Sequence, residues 1–94
     1  MKNINEAEIV FFNGLHLEGK MSEVFEKSKN EKFIAITKNI SKEKLIFDEK
    51  FGESSVDPHI WFDIDLWIDC AFVVCEKMIE IDKNNENFYK KNYL

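Results

Sequence analysis

From Ile64 to Asp82 the sequence reads IDLWIDCAFVVCEKMIEID, and this run constrains the fold more than any other. Trp67, Cys70, Ala71, Val74, Met78 and Ile81 recur at helical spacing and form one stripe. Leu66, Ile68, Phe72, Val73, Cys75 and Ile79 carry apolar surface well beyond it, leaving Asp65, Asp69, Glu76, Lys77 and Glu80 for water. A helix apolar over so much of its circumference needs neighbours on more than one side. It is too charged to read as a membrane span, and no other stretch is long and apolar enough. The rest of a 94-residue chain offers few segments to cover it. The pattern therefore calls for cover from outside these residues.

The first half reads as one βαβ unit. Ile9-Val10-Phe11-Phe12 is a continuous apolar run between Glu8 and Asn13-Gly14, as in a strand buried on both faces of a parallel sheet. An Asn-Gly pair also suits a hairpin, but the helical period after it favours a turn from strand into helix. Leu17, Met21, Val24, Phe25 and Ser28 share one helical face, with Glu18, Glu23, Glu26 and Lys27 largely opposite, which predicts a helix over about 17–29. Lys27 and Lys29 suit its C-terminal end and Asn30 its close. Phe33-Ile34-Ala35-Ile36-Thr37 is the second strand, expected to lie parallel to the first. Residues 1–7 are polar and read as a helix end or a frayed tail. Residues 38–56 are polar apart from Leu45-Ile46-Phe47, and Gly52, Ser54 and Ser55 mark a flexible connection. After the apolar helix, Asp82 is placed to cap a last helix carrying Phe88, Tyr89 and Tyr93. The class is α/β: an incomplete Rossmann-like lobe with a small parallel sheet, followed by a long apolar helix.

Composition excludes several functions. Acidic residues outnumber basic ones, 18 to 13, for a net charge of −5, which argues against nucleic acid as a partner. Three glycines without phosphate-loop spacing, no HExxH and no serine in a nucleophile elbow leave no enzyme signature. Cys70 and Cys75 fall on different faces of the helix and are not spaced as a CxxC metal site, so they read as core residues.

The residues with chemical promise lie in Asp57-Pro58-His59-Ile60-Trp61-Phe62-Asp63, which holds the chain's single proline. Pro58 fixes its own φ and biases Asp57 toward extended backbone, so His59 sits on a stiffened loop. A ligand held that way loses less entropy on binding. Trp61 and Phe62 read as an aromatic plug, and Asp63 as the cap of the helix that follows.

This segment resembles the histidine-bearing motif of the substrate-binding proteins of zinc and manganese ABC transporters. Asn13-Gly14-Leu15-His16-Leu17-Glu18 is similar to a second signature of that family, a strand-to-helix turn, and the two occur in the family's order. The resemblance implies that His59 is a ligand for zinc or manganese, that the protein binds metal rather than catalysing a reaction, and that an ABC permease is its partner. It assigns no ligand role to His16; Asp57 is read as a turn former or a steadying neighbour of His59. It also implies that residues 1–94 match only part of an N-terminal lobe, with the start of the inter-lobe linking helix near 83–94. The other ligands, further histidines and a carboxylate, would lie outside this chain, so the polypeptide alone is expected to bind metal weakly.

Such proteins work in the periplasm or otherwise outside the cytoplasmic membrane, whereas Met1-Lys2-Asn3-Ile4-Asn5-Glu6 lacks the apolar core and cleavage site of an export signal. The expectation is therefore a piece of a larger product or a truncated copy. Two other readings stand beside metal transport. One is a surface adhesion protein, a role often ascribed to this family. The other is a non-functional remnant that self-associates through the exposed faces of helix 64–82.

Overall fold

A computed structural model describes residues 2–28, 30–47 and 56–94. Lys29, Gly52, Ser54 and Ser55, to which the sequence assigned a helix end and a flexible connection, lie outside the described residues. A short helix α1 (Lys2–Glu6) leads to strand β1 (Val10–Phe12), helix α2 (Lys20–Lys27) and strand β2 (Phe33–Ala35). The chain then reaches the long helix α3 (Ile64–Ile81) and ends in α4 (Glu86–Tyr93).

The expected βαβ unit forms. β1 and β2 are parallel, with Val10 opposite Phe33 and Phe12 opposite Ala35. The ladder is extended by Val10 N–H donating to the Lys32 carbonyl at 2.8 Å and Ile36 N–H donating to the Phe12 carbonyl at 2.9 Å. Alternation sends Val10, Phe12, Phe33 and Ala35 to one face and Phe11, Ile34 and Ile36 to the other. On the first face Phe25 of α2 lies between Phe12 and Phe33, with ring centroids 5.1 and 5.3 Å away. On the second, Ile36 packs with Leu15 and Leu45 against a core of Ile40, Ile60, Leu66 and Cys70. Helices thus lie on both faces of the sheet, as a parallel sheet requires. Cover is incomplete: Phe12 is buried, but Val10, Phe11 and all of β2 are half-buried, because each of the two strands is an edge.

Helix α2 begins three residues later than its apolar spacing predicts. Leu15, His16 and Gly19 all have positive φ, at 55°, 62° and 60°, and a right-handed helix cannot run through them. Residues 14–19 instead fold into consecutive tight turns, with Leu17 N–H donating to the Gly14 carbonyl and Gly19 N–H to the His16 carbonyl, each at 3.1 Å. Leu17 is left exposed, and Ser22 is buried together with Phe25. The helix ends at Lys27 with Ser28 extended. Asn30 does not close it; its side-chain carbonyl accepts from Lys32 N–H at 3.1 Å. The ammonium of Lys32 reaches the carbonyls of Ile4, Asn5 and Ala7 at 2.7–3.3 Å, satisfying the C-terminal end of α1.

Helix α3 ends one residue short of the expected 64–82, and Asp63 caps it by accepting from Asp65 and Leu66 N–H at 3.0 and 3.3 Å. Its buried residues are Leu66, Cys70 and Val73, so of the expected stripe of Trp67, Cys70, Ala71, Val74, Met78 and Ile81 only Cys70 is fully buried. With apolar residues nearly all round, periodicity alone does not select the packed face; the position of the sheet does. Cys70 and Cys75 are free thiols, and burial, aided by the charge of Asp69, pushes the Cys70 thiol up.

α4 folds back along α3, bringing Tyr93 to Phe72 with centroids 5.7 Å apart. Asp82 does not cap α4, which starts at Glu86 after a 3₁₀ turn, Lys83–Asn85. Its carboxylate instead accepts from Asn85 Nδ2 at 2.9 Å and from the Tyr89 hydroxyl at 2.7 Å, pinning the second helix to the end of the first.

The result is a plate, 46 × 32 × 17 Å, with a radius of gyration of 14.5 Å, against about 12 Å for a globular chain of this length. Its accessible surface is 7356 Å², whereas folded proteins of this mass expose about 5,700 Å². Ile64, Trp67, Ile68 and Phe72 of α3 and Phe88 of α4 contribute to that surplus.

Candidate functional site

Both sequence motifs arrive at the carboxyl end of β1, where open α/β sheets place their ligands. The turn after β1 is built around Glu18. Its carboxylate accepts from Asn13 N–H at 2.7 Å and from Gly14 N–H at 3.1 Å. The second strand stops at Ala35, short of the expected 33–37, and Thr37 in the turn after it donates its hydroxyl to the Asn13 carbonyl at 2.6 Å. Gly14 has φ +84°, and a Cβ there would stand 2.8 Å from Thr37 Oγ1 and 3.2 Å from Ala35 Cβ. Only glycine meets both demands.

Asn13 joins this turn to the histidine loop. Its amide donates to the Gly14 carbonyl at 3.0 Å and to the Pro58 carbonyl at 3.2 Å. Sequence reading treated Asn13 as punctuation and Glu18 as a wet helical residue. The legible signal was an Asn-Gly turn with a carboxylate a few residues on, which suits a carboxylate folding back onto free amides.

In the loop itself, one oxygen of Asp57 accepts the backbone N–H of His59 at 2.9 Å and lies 2.7 Å from Nδ1 of its ring. These bonds, the backbone one first, hold the Asp57 carboxyl below the usual carboxylate range. The ring of Trp61 meets His59 edge-on, with centroids 5.2 Å apart. The plug beneath the loop is Ile60, 4% exposed; Trp61 and Phe62, expected to fill that role, lie mostly outside the core. A 3₁₀ turn over Ile60–Phe62 rotates the aromatic pair outward while sending Ile60 into the cluster with Leu66 and Cys70.

His59 lines an open cleft of about 700 Å³ with Lys44, Leu45, Asp57, Asp63 and Asp65 among its walls. Asp63 spends an oxygen on capping α3 and Asp57 one on His59. His16 is exposed on the β1 turn and has no described part in this cleft. Among the described residues, no group of three or more His, Cys, Asp and Glu side chains could hold a metal ion. What the site offers a cation is one half-exposed imidazole beside carboxylates.

A parallel sheet between helices, with the loops at its carboxyl end tied together, defines a Rossmann-like lobe of the solute-binding kind. The family model of the zinc-uptake complex component A, periplasmic (ZnuA), matches residues 1–94, and the chain belongs to that family. It is 45% identical over 69 residues to the manganese-binding lipoprotein MntA of Bacillus subtilis, covering 71% of this chain and 22% of MntA. It is 31% identical over 91 residues to the zinc-binding protein TroA of Treponema pallidum, covering 96% of this chain and 29% of TroA. The solved structure of the periplasmic zinc-binding protein TroA from Treponema pallidum superposes with a TM-score of 0.86 at 29% identity, over 98% of this chain and 32% of that one. The chain thus spans less than a third of the curated relatives named here.

Proposed function

We propose that this chain is the metal-contacting part of the N-terminal lobe of a solute-binding protein that captures zinc or manganese and delivers it to an ABC permease. The role is binding and transfer without catalysis, exercised outside the cytoplasmic membrane. Residues 1–94 form part of one lobe, and residues 83–94 begin the segment that leads to the other. His59 is the ligand that residues 1–94 contribute. The observation that carries the reading is the Asp-Pro-His turn, pinned by Asn13 at the carboxyl end of the sheet with its imidazole facing an open cleft.

Imidazole suits both metals the relatives' names mention, and oxygen donors would shift preference toward manganese. A tight site takes about three or four protein ligands. A full structural zinc set is worth on the order of 10–16 kcal/mol, so one imidazole accounts for a small share. The 94-residue chain is therefore expected to bind zinc with a dissociation constant on the order of a millimolar, through His59. Calorimetry with zinc on the wild-type chain and on His59→Ala tests this. Submicromolar one-to-one binding, or binding indifferent to His59→Ala, refutes it.

A further inference from the structure

We infer that Asp57 is a positioning residue: it holds His59 in the tautomer whose proton sits on Nδ1, leaving Nε2 as the one lone pair presented to a divalent cation. The inference rests on the proposed role of His59 and adds what makes that imidazole competent.

An ionised carboxylate accepts hydrogen bonds and donates none. At 2.7 Å from Asp57 Oδ1, Nδ1 of His59 must therefore carry the hydrogen. A neutral imidazole has one N–H, so Nε2, on the far side of the ring, is then bare. Free histidine side chains prefer the opposite tautomer, with the proton on Nε2, which leaves that nitrogen without a lone pair for a cation. The bond to Asp57 reverses that preference, and a carboxylate behind the ring also raises the basicity of the ligating nitrogen.

The device is local and complete within three residues. The same Asp57 oxygen accepts the backbone N–H of His59 at 2.9 Å, so the turn itself fixes where the carboxylate stands. Pro58 stiffens the link between the two. The His59 side chain remains about half exposed.

The test is nitrogen-15 NMR of the His59 ring in the 94-residue chain, with the tautomer read at mildly alkaline pH without metal and zinc chloride added in a separate series at neutral pH, where millimolar zinc stays dissolved. Wild type is expected to show Nδ1 as the N–H nitrogen and Nε2 as the bare one. Asp57→Ala is expected to shift the population toward Nε2–H, while Asp57→Asn, which keeps an acceptor oxygen in the turn, restores most of the Nδ1–H form. Amide spectra of both variants report whether the loop stays folded. Zinc is expected to perturb Nε2 in wild type and, at the same concentration, to do so about 10-fold less in Asp57→Ala. A wild type with its proton on Nε2, or a tautomer unchanged in Asp57→Ala, overturns the inference whatever zinc does. A wild-type ring with the expected tautomer that ignores zinc overturns instead the reading of His59 as a donor, and with it the purpose assigned to Asp57.

Discussion

The side-chain amide of Asn13 donates to the Pro58 carbonyl across 3.2 Å, joining residues 45 positions apart. This bond couples the end of β1 to the backbone next to His59. Its other N–H serves the Gly14 carbonyl, so the amide is used twice as a donor. Asn13→Ala is expected to cost about 1–2 kcal/mol, since a largely buried amide loses both bonds. Asn13→Asp should cost more, because a carboxylate there would face two carbonyl oxygens with no hydrogen to give. Urea denaturation measures both, and an Asp variant as stable as the Ala variant would contradict the assigned donor geometry.

Gly14 and Gly19 both have positive φ but differ in surroundings. A Cβ at Gly14 meets Thr37 Oγ1 and Ala35 Cβ, while one at Gly19 meets nothing within 4 Å. Gly19→Ala is expected to carry the backbone cost alone, about 1–2 kcal/mol. Gly14→Ala adds displacement of Thr37, whose hydroxyl holds the Asn13 carbonyl, for a total of about 2–4 kcal/mol. Thermal denaturation of the two variants should rank them in that order.

The junction of α3 and α4 should respond to pH at both extremes. Hydrogen bonds from Asn85 and then Tyr89 lower the Asp82 carboxyl below its ordinary 3.8. The same bond to Asp82 raises the Tyr89 phenol above its ordinary 10.0. A lowered carboxyl contributes stability above its unfolded value and loses it as pH falls through the folded one; a raised phenol contributes below its unfolded value and loses it as pH rises through the folded one. The contact is thus complete between roughly pH 5 and 9 and is lost in strong acid and strong alkali. Ultraviolet titration of tyrosinate should place Tyr89 above 10 in wild type, and Asp82→Ala should bring it down. An unshifted Tyr89 in that variant would show that Asp82 is not its partner.

Legibility followed the range of the forces involved. The two strands, their parallel pairing, the extent of α3 and the Asp63 cap could be read because each depends on a short run of residue types. The start of α2 could not: Leu17 continues the apolar period, but Glu18 folds back onto Asn13 and Gly14 and Gly19 has positive φ, so the helix begins only at Lys20. The seam of α3 was ambiguous for the opposite reason, since apolar residues on most faces let the sheet choose Leu66, Cys70 and Val73. At the site, the motifs identified His59 as a candidate and its neighbour Asp57 as a steadying residue. The bond from Asn13 to Pro58 joins distant parts of the chain, and neither spacing nor composition indicates it.

The uncovered face of α3 makes the last prediction. Ile64 is 75% exposed and Ile68, one turn on, 48%. Contiguous apolar surface of this kind drives association when nothing else covers it. The 94-residue chain should therefore self-associate with rising concentration. Ile64→Glu with Ile68→Lys places an acidic residue in the first turn and a basic one four residues later, a pairing that favours the helix by a few tenths of a kcal/mol. The double variant should keep the helical content seen by circular dichroism and elute from size-exclusion as a monomer across the same range. Association that survives the substitution would place the sticky surface elsewhere, with Trp67 and Phe88 next in line. Loss of helical signal would mean that Ile64 and Ile68 already bear on packing within the chain.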